Sequence, residues 1–78
     1  MTSTVALTGA TGFIGRHIAD NLLARGFTVR ALTRRPQRPM DNLIWITGTL
    51  EQSWALNELV RGADFVVHCA GNVRGRRE

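Results

Sequence analysis

Three glycines spaced three residues apart follow the first apolar run of the chain. The stretch VALTGATGFIG places them at Gly9, Gly12 and Gly15. A strand that turns here into a helix would offer an anion unpaired N–H groups and the positive end of the helix dipole. Glycine allows a tight turn at Gly9, close approach of a pyrophosphate at Gly12 and close helix–sheet packing at Gly15. The pattern therefore predicts a dinucleotide-binding turn, although its G-x-x-G-x-x-G spacing differs from the commonest G-x-G-x-x-G fingerprint.

Two arginines, Arg34 and Arg35, follow the second predicted strand in the stretch ALTRRP. An acidic residue about 20 positions after the glycines usually binds the ribose 2′-hydroxyl of NAD. No carboxylate is near this position, and a guanidinium pairs with phosphate through two parallel hydrogen bonds. We therefore predict NADP rather than NAD, with Arg34 as the first candidate for the 2′-phosphate and Arg35 as the second. The alternative is a solvated loop whose arginines bind nothing.

The elements that must position these residues alternate along the chain. Hydrophobic periodicity predicts a first helix with Ile14, Ile18 and Leu22 on its apolar side and a second helix with Ser53 as its N-cap. Gly26 is predicted to end the first helix in a left-handed conformation. Two prolines make residues 34–42 a loop rather than a crossover helix. The predicted strands are residues 4–8, 27–33, 43–47 and 63–69, and the predicted helices occupy residues 13–26 and 53–62.

Composition limits the class of protein. Seventy-eight residues are expected to form a single domain, residues 1–78, and the net charge of +4 suits an anionic partner. The single cysteine, Cys69, excludes an intrachain disulfide and fits a reducing cytoplasm. We expect no membrane span, because every apolar run is far shorter than the roughly 18 residues required. Nucleic acid is not expected as a partner, because the basic segment RGRRE at residues 74–78 has no aromatic stacking platform.

These motifs resemble the short-chain dehydrogenase/reductase superfamily. Four segments look like the first part of its extended and atypical branch, which includes NAD(P)-dependent epimerases and dehydratases. They are TGATGFIG, the strand ending in TRRP, GTL and GADFVVHCAG. The resemblance covers essentially the whole chain. It implies an α/β fold, a partial and incomplete Rossmann fold whose parallel sheet has strand order 3-2-1-4 with helices on both faces. The fourth strand would then be an exposed edge, which favours self-association.

The resemblance also assigns positions in the cofactor site. It implies that the pyrophosphate is lined by four consecutive residues: Thr11, Gly12, Phe13 and Ile14. Thr49 and Leu50 match the pair that flanks adenine, and Ala70 and Gly71 match positions beside the ribose and nicotinamide. The family usually has aspartate where Thr49 stands, so we expect a weaker hold on the adenine amino group.

The usual catalytic residues of this superfamily, a tyrosine and a lysine four positions later, have no counterpart because the chain contains neither residue type. His68 and Cys69 are adjacent on a predicted strand and would point to opposite faces, so we do not expect a catalytic pair. No catalytic residue and no metal site are predicted. Two main interpretations stay open: the cofactor-binding part of a larger NAD(P)-dependent oxidoreductase or epimerase, and a non-catalytic NADP-binding or sensing module. A small basic RNA-binding domain is the third and weakest.

Overall fold

The computed structural model describes residues 3–69, and within them the elements follow the order β-α-β-β-α-β. Each strand and helix expected from the sequence is present, with differences of a few residues at the ends. The elements are β1 (Thr4–Thr8), α1 (Phe13–Ala24), β2 (Thr28–Thr33), β3 (Leu43–Thr47), α2 (Ser53–Val60) and β4 (Phe65–His68).

The four strands form one parallel sheet in the spatial order β3-β2-β1-β4. This confirms the strand order and the partial Rossmann fold. β1 lies inside the sheet, with Val5 between Val29 of β2 and Phe65 of β4. The chain crosses from β1 to β2 on one side and later returns to β4 on the other. The carboxyl ends of β1 and β4 therefore form a topological switch point, which is where open α/β sheets bind their ligands.

One helix covers each face of the sheet, as expected, because successive side chains of a strand point to opposite faces. Residues of all three strands β1, β2 and β3 contribute to the α1 side, and the intervening residues contribute to the α2 side. The buried apolar residues are Leu7, Ala10, Ala19, Val29, Ala31 and Leu43 on the α1 side, and Ala6, Leu32, Ile46, Ala55 and Leu59 on the α2 side.

The buried face of α1 is made of small residues, Gly15 and Ala19. Ile18 and Leu22 pack beside them and are half-buried. Ile14 lies beside Ile18 and Leu22, as expected, but the residue is 52% exposed. Gly15, the next residue, packs against the turn that follows β1.

The ends of four elements differ from the sequence prediction, and α1 ends at Ala24, two residues earlier than expected. Ser53 is the first helical residue of α2, and Gln52 takes the N-cap position in extended conformation, without a capping side-chain hydrogen bond. Phe27 precedes β2 because its N–H bonds to Leu22 O at 3.0 Å and closes the end of α1. Ala63 precedes β4 because its N–H bonds to Val60 O at 3.0 Å in the turn after α2. Gly26 has φ +90°, which confirms the left-handed conformation expected there.

Arg30, in the middle of β2, connects the sheet to the end of α2. Its Nε donates to the main-chain oxygens of Glu58 at 3.1 Å and Leu59 at 3.3 Å. Its Nη2 also donates to Glu58 O and lies 3.5 Å from the Glu58 carboxylate. The carbonyl groups in the last turn of a helix lack intrahelical partners, so a half-buried guanidinium stabilises this end of α2.

The connection between β2 and β3 contains no helix, in agreement with its two prolines. Trp45 of β3 holds it to the sheet, because the indole Nε1 donates to Arg38 O at 3.1 Å. An isolated antiparallel bridge joins Met40 to Leu43, and Asn42 between them has φ +65°. The loop therefore turns back along the sheet before β3 begins.

β4 forms one edge of the sheet within residues 3–69, where β1 is its only partner. Two large apolar residues of this strand, Phe65 and Val66, are exposed, the latter to 61%. They point to opposite faces of the sheet because they are adjacent in the strand. The edge strand thus presents apolar side chains beyond the cover of either helix.

Candidate functional site

A cleft of about 820 Å³ opens at the carboxyl ends of the strands. Residues at or just beyond the end of every strand contribute to it, so the sheet itself fixes their relative positions. The cleft brings together six residues expected to bind a cofactor: Gly9, Thr11, Arg34, Arg35, Thr49 and Leu50. Its other lining residues are Thr8, Leu32, Thr33, Gln37, Gly48, Glu51, His68 and Cys69.

Gly9 lets β1 turn toward α1 directly against the end of β4. Its φ is +74°, a left-handed conformation that favours glycine. A Cβ at this position would also lie 2.1 Å from Cys69 O. Both the conformation and the contact require glycine, so the close approach of β1 and β4 depends on this residue.

Gly12 is the N-cap of α1, and its own surroundings do not demand glycine. Its φ is −78°, which any residue adopts. A Cβ there would meet Gly9 O at 3.4 Å, an ordinary contact distance. The turn is closed by a hydrogen bond from Gly12 N to Gly9 O at 3.1 Å. A side chain at Gly12 would therefore fit the protein, although it would stand at the mouth of the helix N-terminus.

The N-terminus of α1 is open. No side chain of residues 3–69 caps it, and its first turn contains no acidic residue. The N–H groups of the first helical residues, Phe13, Ile14 and Gly15, have no carbonyl one turn earlier in the helix to bond to. They remain available to an anion, which the helix dipole also favours.

The side chains of Phe13 and Ile14 lie outside the cleft. Phe13 is 80% exposed and meets the His17 ring edge-on, with 4.8 Å between the ring centroids. Ile14 lines a separate apolar groove beside Ile18 and Leu22. Gly12 and Gly15, which are also predicted to bind the cofactor, are likewise not among the residues that line the cleft.

Arg34 and Arg35 line the cleft from the loop after β2, and both are exposed. Within residues 3–69, the ion pairs engage two other arginines, Arg30 and Arg61, both with Glu58. The guanidinium groups of Arg34 and Arg35 thus have no carboxylate partner in the described part of the chain. Among the lining residues in the described part of the chain, Glu51 is the one carboxylate, so positive charge predominates among them.

The loop after β3 brings Thr49 and Leu50 to the cleft. Gln52 holds this loop, because its Oε1 accepts the N–H of Thr49 at 2.9 Å and its own N–H donates to Thr49 O at 3.1 Å. Gly48 allows α2 to pack closely, since a Cβ there would lie 2.6 Å from the Ala55 Cβ. Leu50 is left exposed toward the cleft.

The sequence model of the NAD-dependent epimerase/dehydratase family matches residues 5–78, nearly the whole chain. The chain belongs to this family. It is 41% identical over 76 residues to ceramide reductase from Caulobacter vibrioides, an alignment that covers 92% of this chain and 24% of that protein. The chain therefore spans about a quarter of the length of this curated relative.

Solved structures of family-like proteins have the same fold. WbmH from Bordetella bronchiseptica, in complex with NAD+, superposes with a TM-score of 0.78 at 29% identity, covering 95% of this chain and 27% of that one. Uronate dehydrogenase from Agrobacterium tumefaciens, complexed with NAD, gives a TM-score of 0.74 at 28% identity, covering 87% and 26%. Both likenesses extend over the sheet and the helices that surround the cleft.

Thr8 and His68 are among the lining residues of this epimerase/dehydratase chain that are not identified as cofactor-site residues from sequence. Thr8 is buried at the end of β1, and its Oγ1 is hydrogen-bonded to His68 Nδ1 across the sheet. Cys69 packs instead against the cluster on the α1 side. His68 and Cys69 therefore do not form a pair, in agreement with the strand geometry. The register that places Thr8 beside His68 is visible only once β1 and β4 are paired.

Thr33 is a further lining residue that the sequence analysis does not single out. It ends β2, is buried, and its hydroxyl bonds to the loop that carries the two arginines. A threonine at a strand–loop junction is a weak signal for such a turn, since Ser and Thr hydroxyls often bond to nearby main chain. Ala70 and Gly71, expected beside the ribose and nicotinamide, lie outside the described residues.

Residues 3–69 contain neither a metal-binding cluster nor a membrane-spanning helix. No group of three or more His, Cys, Asp or Glu side chains there is placed to hold a metal ion. Neither α1 nor α2 in this part of the chain is long and apolar enough to cross a membrane.

Proposed function

We propose that this chain binds a nicotinamide dinucleotide as the cofactor-binding part of an oxidoreductase or epimerase. The observation that carries the proposal is Gly12 at the open N-terminus of α1. Neither its φ nor its contacts within the protein require glycine. A ligand whose pyrophosphate approaches the main chain supplies the reason for a residue without a side chain.

The placement of the other groups supports the same ligand. The pyrophosphate would accept hydrogen bonds from the N–H groups of Phe13, Ile14 and Gly15. The adenosine half would extend over the ends of β2 and β3, between the arginine loop and the pair Thr49 and Leu50. The two solved relatives that hold NAD have the same fold over this region.

The chain's own charges favour NADP over NAD. Arg34 and Arg35 line the cleft where the adenosine ribose would lie, and neither has a carboxylate partner in the described part of the chain. A 2′-phosphate would pair with a guanidinium through charge-assisted hydrogen bonds. The two solved structures named above hold NAD, so the preference for NADP rests on these arginines alone.

When bound, the dinucleotide supplies hydride transfer. The residues of this chain bind and orient it but do not supply the family's tyrosine and lysine, because the sequence contains neither. A non-catalytic module that binds or senses NADP is the second candidate, and the absence of these two residue types does not distinguish the two candidates. A tyrosine and lysine in the usual spacing within a longer form of the protein would support the first candidate.

Two further properties belong to this proposal. The exposed edge of β4, with Phe65 and Val66, favours self-association of the chain. The single cysteine fits a reducing cytoplasm.

Amide chemical shifts measured by NMR during titration with NADP+ test the proposed site. We expect the largest shift changes at the N–H groups of Phe13, Ile14 and Gly15, since the pyrophosphate bonds there. Nicotinamide mononucleotide, which lacks the pyrophosphate bridge, is the control and should leave these amides nearly unchanged. Saturable changes confined to another part of the chain, or no changes, would contradict the proposal.

A further inference from the structure

The hydroxyl of Thr33 holds both main-chain polar groups of Arg35. Oγ1 donates to Arg35 O at 2.7 Å and accepts the Arg35 N–H at 3.2 Å. The Thr33 side chain is buried, with only 4% of the residue exposed. One buried hydroxyl thus fixes the direction in which the chain leaves β2.

Gln37 closes the same turn from its other end. Its Nε2 donates to Thr33 Oγ1 at 3.4 Å and to Arg35 O at 3.3 Å. Both distances are long, so each bond is weaker than the contacts of the hydroxyl. Pro36 lies between Arg35 and Gln37. Its ring fixes its own φ and restricts the main-chain conformation of Arg35, the residue before it. The side chain of Gln37, the proline ring and the hydroxyl all restrain one short segment.

The turn is anchored to the rigid part of the fold. Thr33 O accepts the N–H of Gly48 at 2.8 Å, and Thr33 lies in register with Thr47 of β3. Arg34 is therefore held between a residue fixed in the sheet and a residue fixed by the Thr33 hydroxyl. Only the side-chain torsions of the arginines remain to be ordered when an anion binds.

We propose that Thr33 and Gln37 are positioning residues that set the preference for a 2′-phosphorylated nucleotide by holding the main chain of Arg34 and Arg35. The inference rests on the proposed NADP-binding function. Ordering a flexible loop opposes binding, and a segment already held in place avoids that loss. Thr33 and Gln37 need not touch the nucleotide to have this effect, since they fix the main-chain positions from which the two guanidinium groups extend.

The test compares the affinities of two small probes by calorimetry, adenosine 2′,5′-bisphosphate and 5′-AMP, which differ by the 2′-phosphate alone. Thr33→Val keeps the shape of the side chain and removes the hydroxyl. We expect it to lower the affinity ratio of the two probes by roughly three- to tenfold, the range of one or two ordinary hydrogen bonds. Affinity for 5′-AMP should stay near the wild-type value. Thr33→Ser, which restores the hydroxyl, should recover most of the ratio.

Thr47→Val is the matched control. Thr47 is the neighbour of Thr33 on β3, is exposed, and lies outside the cleft lining. Within residues 3–69 its hydroxyl makes no hydrogen bond to another residue, so this variant should keep the wild-type ratio. Gln37→Ala provides a second variant at an exposed position, in case Thr33→Val does not fold, and should lower the ratio in the same direction.

The outcomes separate this inference from the function on which it rests. Equal affinity of the wild-type chain for the two probes would overturn both the NADP preference and the positioning role. A wild-type preference that survives unchanged in Thr33→Val and Gln37→Ala would overturn the positioning role alone. An equal loss of affinity for both probes would show that Thr33 acts on the fold rather than on the arginines.

Discussion

A Cβ added to Gly15 would lie 1.8 Å from the carbonyl oxygen of Gly9. The first turn of α1 therefore rests directly on the turn that leaves β1. This contact joins the helix N-terminus to the end of the central strand, next to Gly9, which lines the cleft.

Gly15 and Gly12 should respond differently to the same substitution. Alanine in place of glycine ordinarily stabilises a helix interior by about 0.5–1 kcal/mol. Gly15→Ala should instead destabilise the chain by about 1–3 kcal/mol or more, because main-chain atoms of Gly9 occupy the space. Gly12→Ala should change the free energy of unfolding by less than about 1 kcal/mol. It should weaken NADP+ binding roughly tenfold or more, because the added methyl group clashes with the pyrophosphate. Urea unfolding and calorimetric titration measure the two effects.

The different responses of Gly12 and Gly15 test two separate claims, the approach of the pyrophosphate to Gly12 and the close packing of α1 at Gly15. If Gly12→Ala keeps wild-type affinity, the pyrophosphate does not approach this residue. If Gly15→Ala is as stable as the wild type, the helix does not pack as closely as the structure indicates.

The glycine turn could be predicted from sequence because it depends on a local pattern, whereas the strand order of the sheet follows from the resemblance to the superfamily. Spacing alone places Gly9, Gly12 and Gly15 between a strand and a helix. The roles of Thr33 and His68 could not be predicted in this way. Each role depends on which residue lies nearby in space. The fold of the following loop decides this for Thr33, and the pairing of β1 with β4 decides it for His68.

Arg30 shows the same limit. In sequence it is one polar residue in an apolar strand, with nothing to distinguish it from a solvated side chain. Its partners are main-chain oxygens 28 and 29 residues later in the chain. The path of the chain through β3 and α2 brings these oxygens to the Arg30 guanidinium. The contact is therefore a property of the tertiary structure.

Arg34→Ala should remove most of the preference for NADP+ over NAD+. The loss of one charge-assisted contact corresponds to about 1.5–3 kcal/mol, or roughly ten- to 150-fold in the affinity ratio. Arg38→Ala is the matched control, because Arg38 lies in the same loop but does not line the cleft. Calorimetric titration of both variants with both nucleotides measures the ratio. An equal effect of the two variants would indicate that general positive charge, rather than a contact by Arg34, attracts the phosphate.

Arg30→Met should lower the free energy of unfolding by about 1–3 kcal/mol, because it removes donors from half-buried carbonyl groups at the end of α2. The side chain of Arg30 is 15% exposed, whereas that of Arg61, which also pairs with Glu58, is 74% exposed. Arg61→Met should therefore cost less than about 1 kcal/mol, as expected for a surface ion pair. Urea unfolding measures both changes. Similar losses for the two variants would show that the Glu58 carboxylate, not the helix carbonyl groups, is the partner that matters.

The edge of β4 should mediate self-association. We expect light scattering to detect dimers or larger species at concentrations on the order of tens of micromolar. Val66→Lys should shift the chain toward monomer, since a charge on an edge strand opposes pairing with another strand. Ile44→Lys places the same residue on β3 at the opposite edge of the sheet and is the control, because Ile44 is also exposed. A monomeric wild-type chain would contradict this prediction, and dissociation by Ile44→Lys alone would assign the contact to the β3 edge.

The 78-residue chain should be catalytically silent toward carbonyl compounds in the presence of NADPH. Proton transfer requires a group within hydrogen-bond reach of the substrate and a pKa suited to the task. The tyrosine and lysine that serve the superfamily are absent from the composition, so no arrangement of this chain supplies them. His68 is bonded to Thr8, and Cys69 packs against the α1-side cluster, so these neighbours do not act as a thiol–imidazole pair. Absorbance at the nicotinamide band should therefore decline at the rate measured without protein. Turnover that disappears in Cys69→Ser or His68→Ala would show that one of these side chains takes part in catalysis after all.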